Sequence, residues 1–266
     1  MSEPTVRCIM LTRDRPELAA KAVECFRKQT YTAKSLLLYN NGESDEIECG
    51  CGPEYFHVID RESQGVVSIG ELRNRAINFR TGYGVSEIII HWDDDDWSHP
   101  NRIAEQVHLL QSSGAEVVGY SDMLFSRTTG SLIEEDFLTG EKHVTEMAEA
   151  WLYAHQTPKR PYALGTSLCY WRRAWEAVKF NDETQGVEDH WLNYWRDQGK
   201  LTAITSQFRW QGPSGNGHDD LQPRMIARIH GGNTSNGYNL EDHLAKGSKE
   251  WKRLPGWNRN VREILG

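Results

Sequence analysis

An apolar run, Glu87-Ile88-Ile89-Ile90-His91-Trp92, leads into four consecutive aspartates, Asp93 to Asp96, and then into Trp97-Ser98-His99-Pro100. A β-rich run of this length, with a proline soon after it, predicts a buried strand that delivers its carboxylates into the loop at its C-terminal end. Open α/β sheets bind ligands at that end. Adjacent like charges repel, so the aspartates need either bulk water or a cation among them. Water alone would make the segment a solvated acidic turn. The strand before it and the motifs elsewhere in the chain favour the cation.

The residues around this strand predict a βαβ framework. Thr5 to Thr12 reads as a buried first strand. Arg13-Asp14-Arg15-Pro16-Glu17 reads as a turn into a helix running to Gln29, with Asp14 as N-cap and proline at a tolerated early position. Ser35 to Tyr39 is a second strand, stopped by Asn40-Asn41-Gly42, and the strand-helix-strand order makes the two strands parallel. A third strand is expected at Phe56 to Ile59. From Gly70 to Arg80 the spacing predicts a helix with Leu72, Ala76 and Phe79 on one face and Arg73, Asn74 and Asn78 off it. A helix from Pro100 to Ser112 carries Ile103, Val107 and Leu110, and Val117 to Tyr120 reads as a strand. Downstream, Ala163 to Trp171 reads as a strand, Arg172 to Val178 as a short helix, and Gln185 to Trp191 as the opening of another. Gln211 to Gln222 is rich in glycine and turn formers and reads as a loop. The second half is less regular in pattern than the first, and no clean domain boundary separates them.

Length and composition set limits. A chain of 266 residues accommodates one α/β domain with an extension. No apolar stretch approaches the ~20 residues needed to span a bilayer, and Met1-Ser2-Glu3-Pro4 lacks the pattern of a signal peptide, so a cytoplasmic location is expected. Five cysteines, an odd number, fit a reducing compartment. Cys49-Gly50-Cys51 offers half a zinc site, with no second pair at zinc spacing. The formal net charge of −8 provides no overall attraction for nucleic acid, although a local basic groove stays open as an alternative.

Taken together, the motifs resemble the family 2 glycosyltransferases of GT-A fold. Thr12-Arg13-Asp14-Arg15-Pro16 sits where that family has a threonine, an asparagine and Arg-Pro after its first strand. Tyr39-Asn40-Asn41-Gly42-Glu43 sits where it usually has a paired Asp and Gly-Ser. Gly70 to Asn78 resembles its Arg-Asn helix, Asp93 to Asp96 its Asp-x-Asp-Asp motif, and Val187-Glu188-Asp189 its acceptor-side acidic pair. Arg228 to Ser235 resembles its late Arg-x-His-x-x-x-x-Ser element. These motifs span residues 5 to 235 in family order. The resemblance implies a Rossmann-like, nucleotide-binding mixed sheet flanked by helices over residues 1–235, divided into a nucleotide-sugar half (1–122) and an acceptor half (123–235), with a C-terminal extension at 236–266.

The resemblance also implies residue roles. Thr12, Arg15, Asn40, Asn41, Arg73, Asp93 and Asp94 would contact the nucleotide-sugar donor. Asp95 would carry the metal, with Asp96 sharing it and His230 as a late metal or diphosphate ligand. Asn40 and Asn41 replace acidic residues that in relatives contact the base or ribose, and an amide can still bond both donor and acceptor edges. A departing diphosphate builds negative charge, which a divalent cation stabilises, and aspartate oxygens suit Mg²⁺ or Mn²⁺. Inversion at the anomeric carbon needs a base on the opposite face, for which Asp189 is chosen, with Glu188 orienting the acceptor. The competing structural role for this pair is helix capping at the first turn. Of ten tryptophans, Trp97, Trp191 and, more weakly, Trp210 stand as sugar contacts, the rest as packing.

The expected activity is therefore metal-dependent, inverting transfer from a nucleoside-diphosphate sugar to an acceptor hydroxyl, on a glycan or on a hydroxylated base of phage DNA. A metal-dependent phosphohydrolase or nucleotidyltransferase also needs clustered carboxylates. It leaves the order of the Asp189 and His230 motifs unexplained. A non-catalytic nucleotide-sugar-binding protein is the other alternative.

Overall fold

The computed structural model describes residues 3–43, 52–63, 68–80, 84–135, 142–154, 160–183, 186–209, 221–229 and 249–254. The chain begins with β1 (Val6–Thr12), α1 (Pro16–Arg27), β2 (Lys34–Asn40), β3 (Tyr55–Ile59), α2 (Ile69–Asn78) and β4 (Ile88–His91). After the aspartates come β5 (Trp97–Ser98), α3 (Arg102–Ser113), β6 (Val117–Tyr120), β7 (Asp122–Glu135) and β8 (Lys142–Ala154). Then follow β9 (Cys169–Trp171), α4 (Arg172–Ala177), α5 (Val187–Asp197), β10 (Leu201–Ile204), β11 (Gln207–Arg209), β12 (Leu221–Pro223), β13 (Met225–Arg228) and β14 (Trp251–Arg253).

The main sheet has seven strands in the order β10-β6-β9-β4-β1-β2-β3. Only β9 runs antiparallel to its neighbours, so the sheet is mixed. The strands alternate between two cores, as the period of two requires. Cys8, Met10, Leu36, Leu38, Ile88 and Ile90 face α1 and α3, whereas Ile9, Leu37, Tyr39 and Ile89 face α2, α4 and α5. From β1 the chain moves outward through β2 to β3, then returns by α2 to place β4 on the other side of β1. The C-terminal ends of β1 and β4 therefore flank the topological switch point of the sheet, where ligands bind in folds of this kind.

A second sheet, in the order β14-β8-β7-β13-β5, is built on the hairpin of β7 and β8. The sequence reading of this half as less regular is corrected here. The hairpin strands are 14 and 13 residues long, but runs such as Arg127-Thr128-Thr129-Gly130 and Glu134-Glu135 interrupt any apolar alternation. Strand β13 pairs in parallel with β7 and antiparallel with β5, the two-residue strand directly after the aspartates. In the segment from residue 236 onward, β14 pairs with β8.

Two local expectations are also revised. Ala163 to Trp171 is not one strand. Gly165–Ser167 forms a single 3₁₀ turn before β9, because Ser167 Oγ donates to the Leu164 carbonyl at 2.7 Å and accepts from the Tyr120 amide at 2.8 Å, pulling the backbone off the ladder. On α2, Phe79 is 39% exposed whereas Arg73 is only 8% exposed. The helix ends at Asn78 and Phe79 has extended backbone, so the apolar period stops short of it. Arg73 is drawn inward by a buried counter-ion described below.

Gly70 lets α2 approach the segment that leads into α5, because a Cβ at this position would collide with the Asn181 carbonyl and lie 3.2 Å from Val187 Cγ1. Gly70→Ala is expected to destabilise the fold by about 1–3 kcal/mol through overpacking, read as a lower denaturation midpoint. An unchanged midpoint would show that the two segments are free to separate.

Candidate active site

The aspartate loop is anchored at both ends before any carboxylate is considered. Trp92, which follows β4, is buried; its Nε1 donates to the Ala22 carbonyl at 3.1 Å, and Phe26 meets its ring edge-on at 5.9 Å. Arg102, at the start of α3, is fully buried beneath the loop. Its guanidinium donates to Ser98 Oγ at 2.9 Å, the His91 carbonyl at 2.8 Å, the Thr166 carbonyl at 3.0 Å and Gln106 Oε1 at 3.3 Å, and stacks 4.9 Å over Trp92. One cation thus ties β4, β5 and the Gly165–Ser167 turn together.

The four carboxylates divide into two groups. Asp94 turns toward β1, accepting from Thr12 Oγ1 at 2.7 Å and pairing with Arg15 at 2.8 Å. Asp93, Asp95 and Asp96 turn toward one another, with one oxygen of each within 4.8 Å of the others. Arg15 also reaches Asp95 at 3.1 Å, and Thr166 Oγ1 donates to Asp96 at 2.6 Å. Exposures of 1% for Asp94, 8% for Asp95 and 5% for Asp96 exclude a solvated turn.

Burial penalises the ionised form and raises Asp93, Asp94 and Asp96. Asp94 is pushed up to about 7 by burial, against the opposing pull of Arg15. Asp93 is raised by burial, with Arg73 opposing, and Asp96 is raised well above the ordinary range by burial and by its neighbours Asp95 and Asp93. A divalent cation would reverse this preference. The donor set fits one: hard oxygens gathered within 4.8 Å of one another, the scale of the ~4.2 Å that opposite ligands at 2.0–2.1 Å from an octahedral ion span.

The turns after β1 and β2 interlock. Asn40 is fully buried, and its Oδ1 accepts from the Gly42 amide at 2.8 Å, so this side chain shapes its own turn. Asn41 is buried beside it, its backbone N–H donating to the Thr12 carbonyl at 3.2 Å. Asp14 is not the N-cap of α1. It takes a left-handed conformation at φ 53° and its Oδ1 accepts from the Glu43 amide at 2.6 Å, while Arg15 occupies the cap position without a side-chain cap bond. Gly42 is required there, since a Cβ would come within 2.6 Å of the Asp14 amide nitrogen.

On the other side, Gly186 leads into α5 at φ 65° and, as the N-cap, offers no side chain to cap the helix. Glu188 pairs with buried Arg73 of α2. Asp189 is exposed, and Tyr162 Oη donates to its Oδ1 at 3.0 Å. His91, below, is buried and held neutral by that burial and by the field of Arg73. Its Nδ1 lies 2.7 Å from the Gly165 carbonyl and therefore carries the proton, leaving Nε2 to accept from Tyr170 Oη at 3.2 Å.

Trp191 departs from its expected place. It is 1% exposed, packs against Tyr170 and Phe180 at 4.9 and 5.0 Å, and donates from Nε1 to the Val178 carbonyl at 2.8 Å, so it belongs to the core and has no ring face open to a sugar. Trp97 is partly buried against Leu124, Ala150 and Ile226. Trp210, His230, residues 211–220 of the expected loop and the Cys49-Cys51 pair lie outside the described residues, whereas Leu221 and Gln222, expected in that loop, pair in β12. The sequence reading did not find Arg102, Thr166, Tyr162 or Gly165. Only Arg102 left a signal there, being four residues from Gln106 on the same side of α3 as Ile103 and Val107.

No protein-family model matches the sequence, and no curated protein matches it significantly. Among solved structures, S. aureus TarS superposes with a TM-score of 0.55 at 9% identity, over 85% of this chain and 37% of that one. Residues 1–349 of TarS in complex with UDP give 0.54 at 9% identity, over 85% and 60%. Mannosyltransferase PcManGT from Pyrobaculum calidifontis, in complex with GDP-Man and Mn²⁺, gives 0.52 at 14% identity, over 100% and 69%. This chain therefore spans little more than a third of TarS. At these identities the likeness establishes the fold, a mixed α/β sheet flanked by helices as in these glycosyltransferases.

A raised aspartate pKa has a definite sign in stability. Between the ordinary value of about 4 and the value of about 7 for Asp94, the folded protein holds more protons than the unfolded chain, so this group's contribution falls as pH rises through that window. Protons also compete with a cation for the carboxylates. The rise in melting temperature given by saturating Mn²⁺ is expected to grow from about pH 5 to about pH 8. An increment that is flat across this range would contradict the cation reading of the cluster.

Proposed function

We propose that this chain is a divalent-cation-dependent, inverting glycosyltransferase of the family 2 type, taking a sugar from a nucleoside-diphosphate donor to an acceptor hydroxyl. The observation that carries this reading is the convergence of Asp93, Asp95 and Asp96 at the C-terminal end of β4, beside the switch point of the sheet. The complexes of its structural neighbours, with UDP and with GDP-Man and Mn²⁺, support it.

In this reading Asp95 holds Mn²⁺ or Mg²⁺, with Asp96 and Asp93 beside it. His230 is the proposed late ligand. The pairing of β13 with β5 supports it, because the chain leaves β13 at Arg228 from the strand that borders the aspartate loop. When bound, the cation stabilises the negative charge of the departing diphosphate. Thr12 and Arg15 fix Asp94 and with it the loop that meets the diphosphate. Asn41 is the proposed base or ribose contact, since the Oδ1 of Asn40 already serves its turn. Trp97 and Trp210 remain proposed sugar contacts.

Asp189 is the proposed general base. The acceptor oxygen attacks the anomeric carbon as the bond to the diphosphate oxygen breaks, and Asp189 takes the acceptor proton. Tyr162 holds one oxygen of this carboxylate. Attack opposite the leaving group inverts the configuration. A glycan is the preferred acceptor over a hydroxylated base of phage DNA, because a formal charge of −8 does not favour a duplex.

The test is incubation with a panel of nucleoside-diphosphate sugars, Mn²⁺ and acceptors, with released nucleotide and product configuration measured. Asp189→Asn is expected to lower kcat by about two to four powers of ten with donor affinity nearly unchanged. Near-normal turnover with a lowered melting point would leave Asp189 a structural residue, and retention of configuration would reject the inverting mechanism.

A further inference from the structure

We propose that Thr166 is a positioning residue: its hydroxyl orients the Asp96 carboxylate, so that the Gly165–Ser167 turn fixes the geometry of the cation site together with the aspartate loop. The proposal rests on the reading of Asp93, Asp95 and Asp96 as that site.

Thr166 Oγ1 donates to Asp96 Oδ2 at 2.6 Å, the length of a hydroxyl bond to an ionised carboxylate. Rotation about the Cβ–Cγ bond of an aspartate has only broad preferences, so a carboxylate that is to meet an ion in a set direction needs an outside contact to fix it. Asp96 is 5% exposed, which leaves bulk water little access to replace that contact. The chemistry of the donor also matters. Arg15 holds Asp94 and Asp95 with a full positive charge, which competes with a cation. A hydroxyl orients Asp96 without adding charge.

The turn is held by contacts that do not use this hydroxyl. The Thr166 carbonyl accepts from Arg102 Nη2 at 3.0 Å, and the same nitrogen reaches the His91 carbonyl at 2.8 Å, so one guanidinium sets both Thr166 and the strand before the aspartates. Gln106 Nε2 donates to the Ser167 carbonyl at 2.5 Å, and Ser167 Oγ accepts from the Tyr120 amide at 2.8 Å. The Gly165 carbonyl accepts from His91 Nδ1 at 2.7 Å, and a Cβ on Gly165 would lie 2.6 to 2.9 Å from Cδ, Cγ and Oε1 of Glu188, so the turn has no room to shift toward α5. Threonine is stiff about its first side-chain torsion. The hydroxyl is therefore carried on a short, restricted arm from a fixed backbone, and its removal leaves the turn in place.

Mn²⁺ binding to the full chain, with free Mn²⁺ measured by electron paramagnetic resonance and no substrate present, tests this. Thr166→Val keeps the shape and removes the hydroxyl, and is expected to weaken binding by about tenfold or more. Thr166→Ser keeps the hydroxyl and gives up the methyl group, and is expected to bind within about threefold of the unmodified protein. A role in packing alone predicts the opposite order. Thr166→Ala also lacks the hydroxyl and carries the test if the valine variant does not fold, with the same loss of about tenfold expected. Valine and alanine variants that bind Mn²⁺ as tightly as the unmodified protein, or a serine variant as weak as they are, overturn the proposal. Unmodified protein that binds no Mn²⁺ overturns both this proposal and the metal-dependent function, whereas tight binding retained without the hydroxyl overturns this proposal alone.

Discussion

Aspartate carboxylates held within 4.8 Å of one another in a buried loop repel, and much of the surrounding architecture answers that repulsion. At an effective dielectric of about 20, each ionised pair at that distance costs roughly 3.5 kcal/mol. A solvated loop would relax by opening. Here it cannot, because Trp92 is seated on α1, Arg102 bonds the His91 carbonyl before the loop and the Ser98 hydroxyl after it, and β5 is paired with β13. The loop is kept closed by contacts that do not involve the carboxylates, which is how a site can hold charge ready for a cation.

The same constraint explains the distribution of arginines. Arg15 faces Asp94 and Asp95 from the β1 side, Arg73 pairs with Glu188 from the α2 side, and Arg102 lies beneath. Each is tied down by at least one other group. Arg15 already pairs with Asp95 of the cluster, while Arg73 is held by Glu188 and Arg102 by backbone carbonyls. The turn at Asn40 to Gly42 is joined to this centre through Thr12 and Asp94.

Much of the nucleotide-binding half was legible in the sequence, because parallel strands buried on both faces read as short, nearly continuous apolar runs. Val6 to Thr12, Lys34 to Asn40 and Ile88 to His91 all carry that signal. The aspartates were legible for the same reason, as charge abruptly following such a run. Arg73 was not, since hydrophobic periodicity places any arginine off the buried face, and the residue that draws it inward lies 115 positions away. Arg102 is buried by carbonyls of His91 and Thr166, which no local pattern reports. Gly165–Ser167 was hidden inside an apolar run because its turn depends on a hydroxyl bond to the β6 backbone. Trp191 read as a sugar contact only through its nearness to Asp189 in sequence, whereas the helical period turns it to the core.

The central claim is that the carboxylates after β4 hold a divalent cation next to a nucleoside diphosphate. Anomalous diffraction from crystals grown with Mn²⁺ and a nucleoside diphosphate measures this most directly. The account predicts a manganese peak about 2.2 Å from an Asp95 oxygen, with the diphosphate completing its coordination. A nucleotide bound at the ends of β1 and β4 with no manganese among Asp93, Asp95 and Asp96 would contradict it.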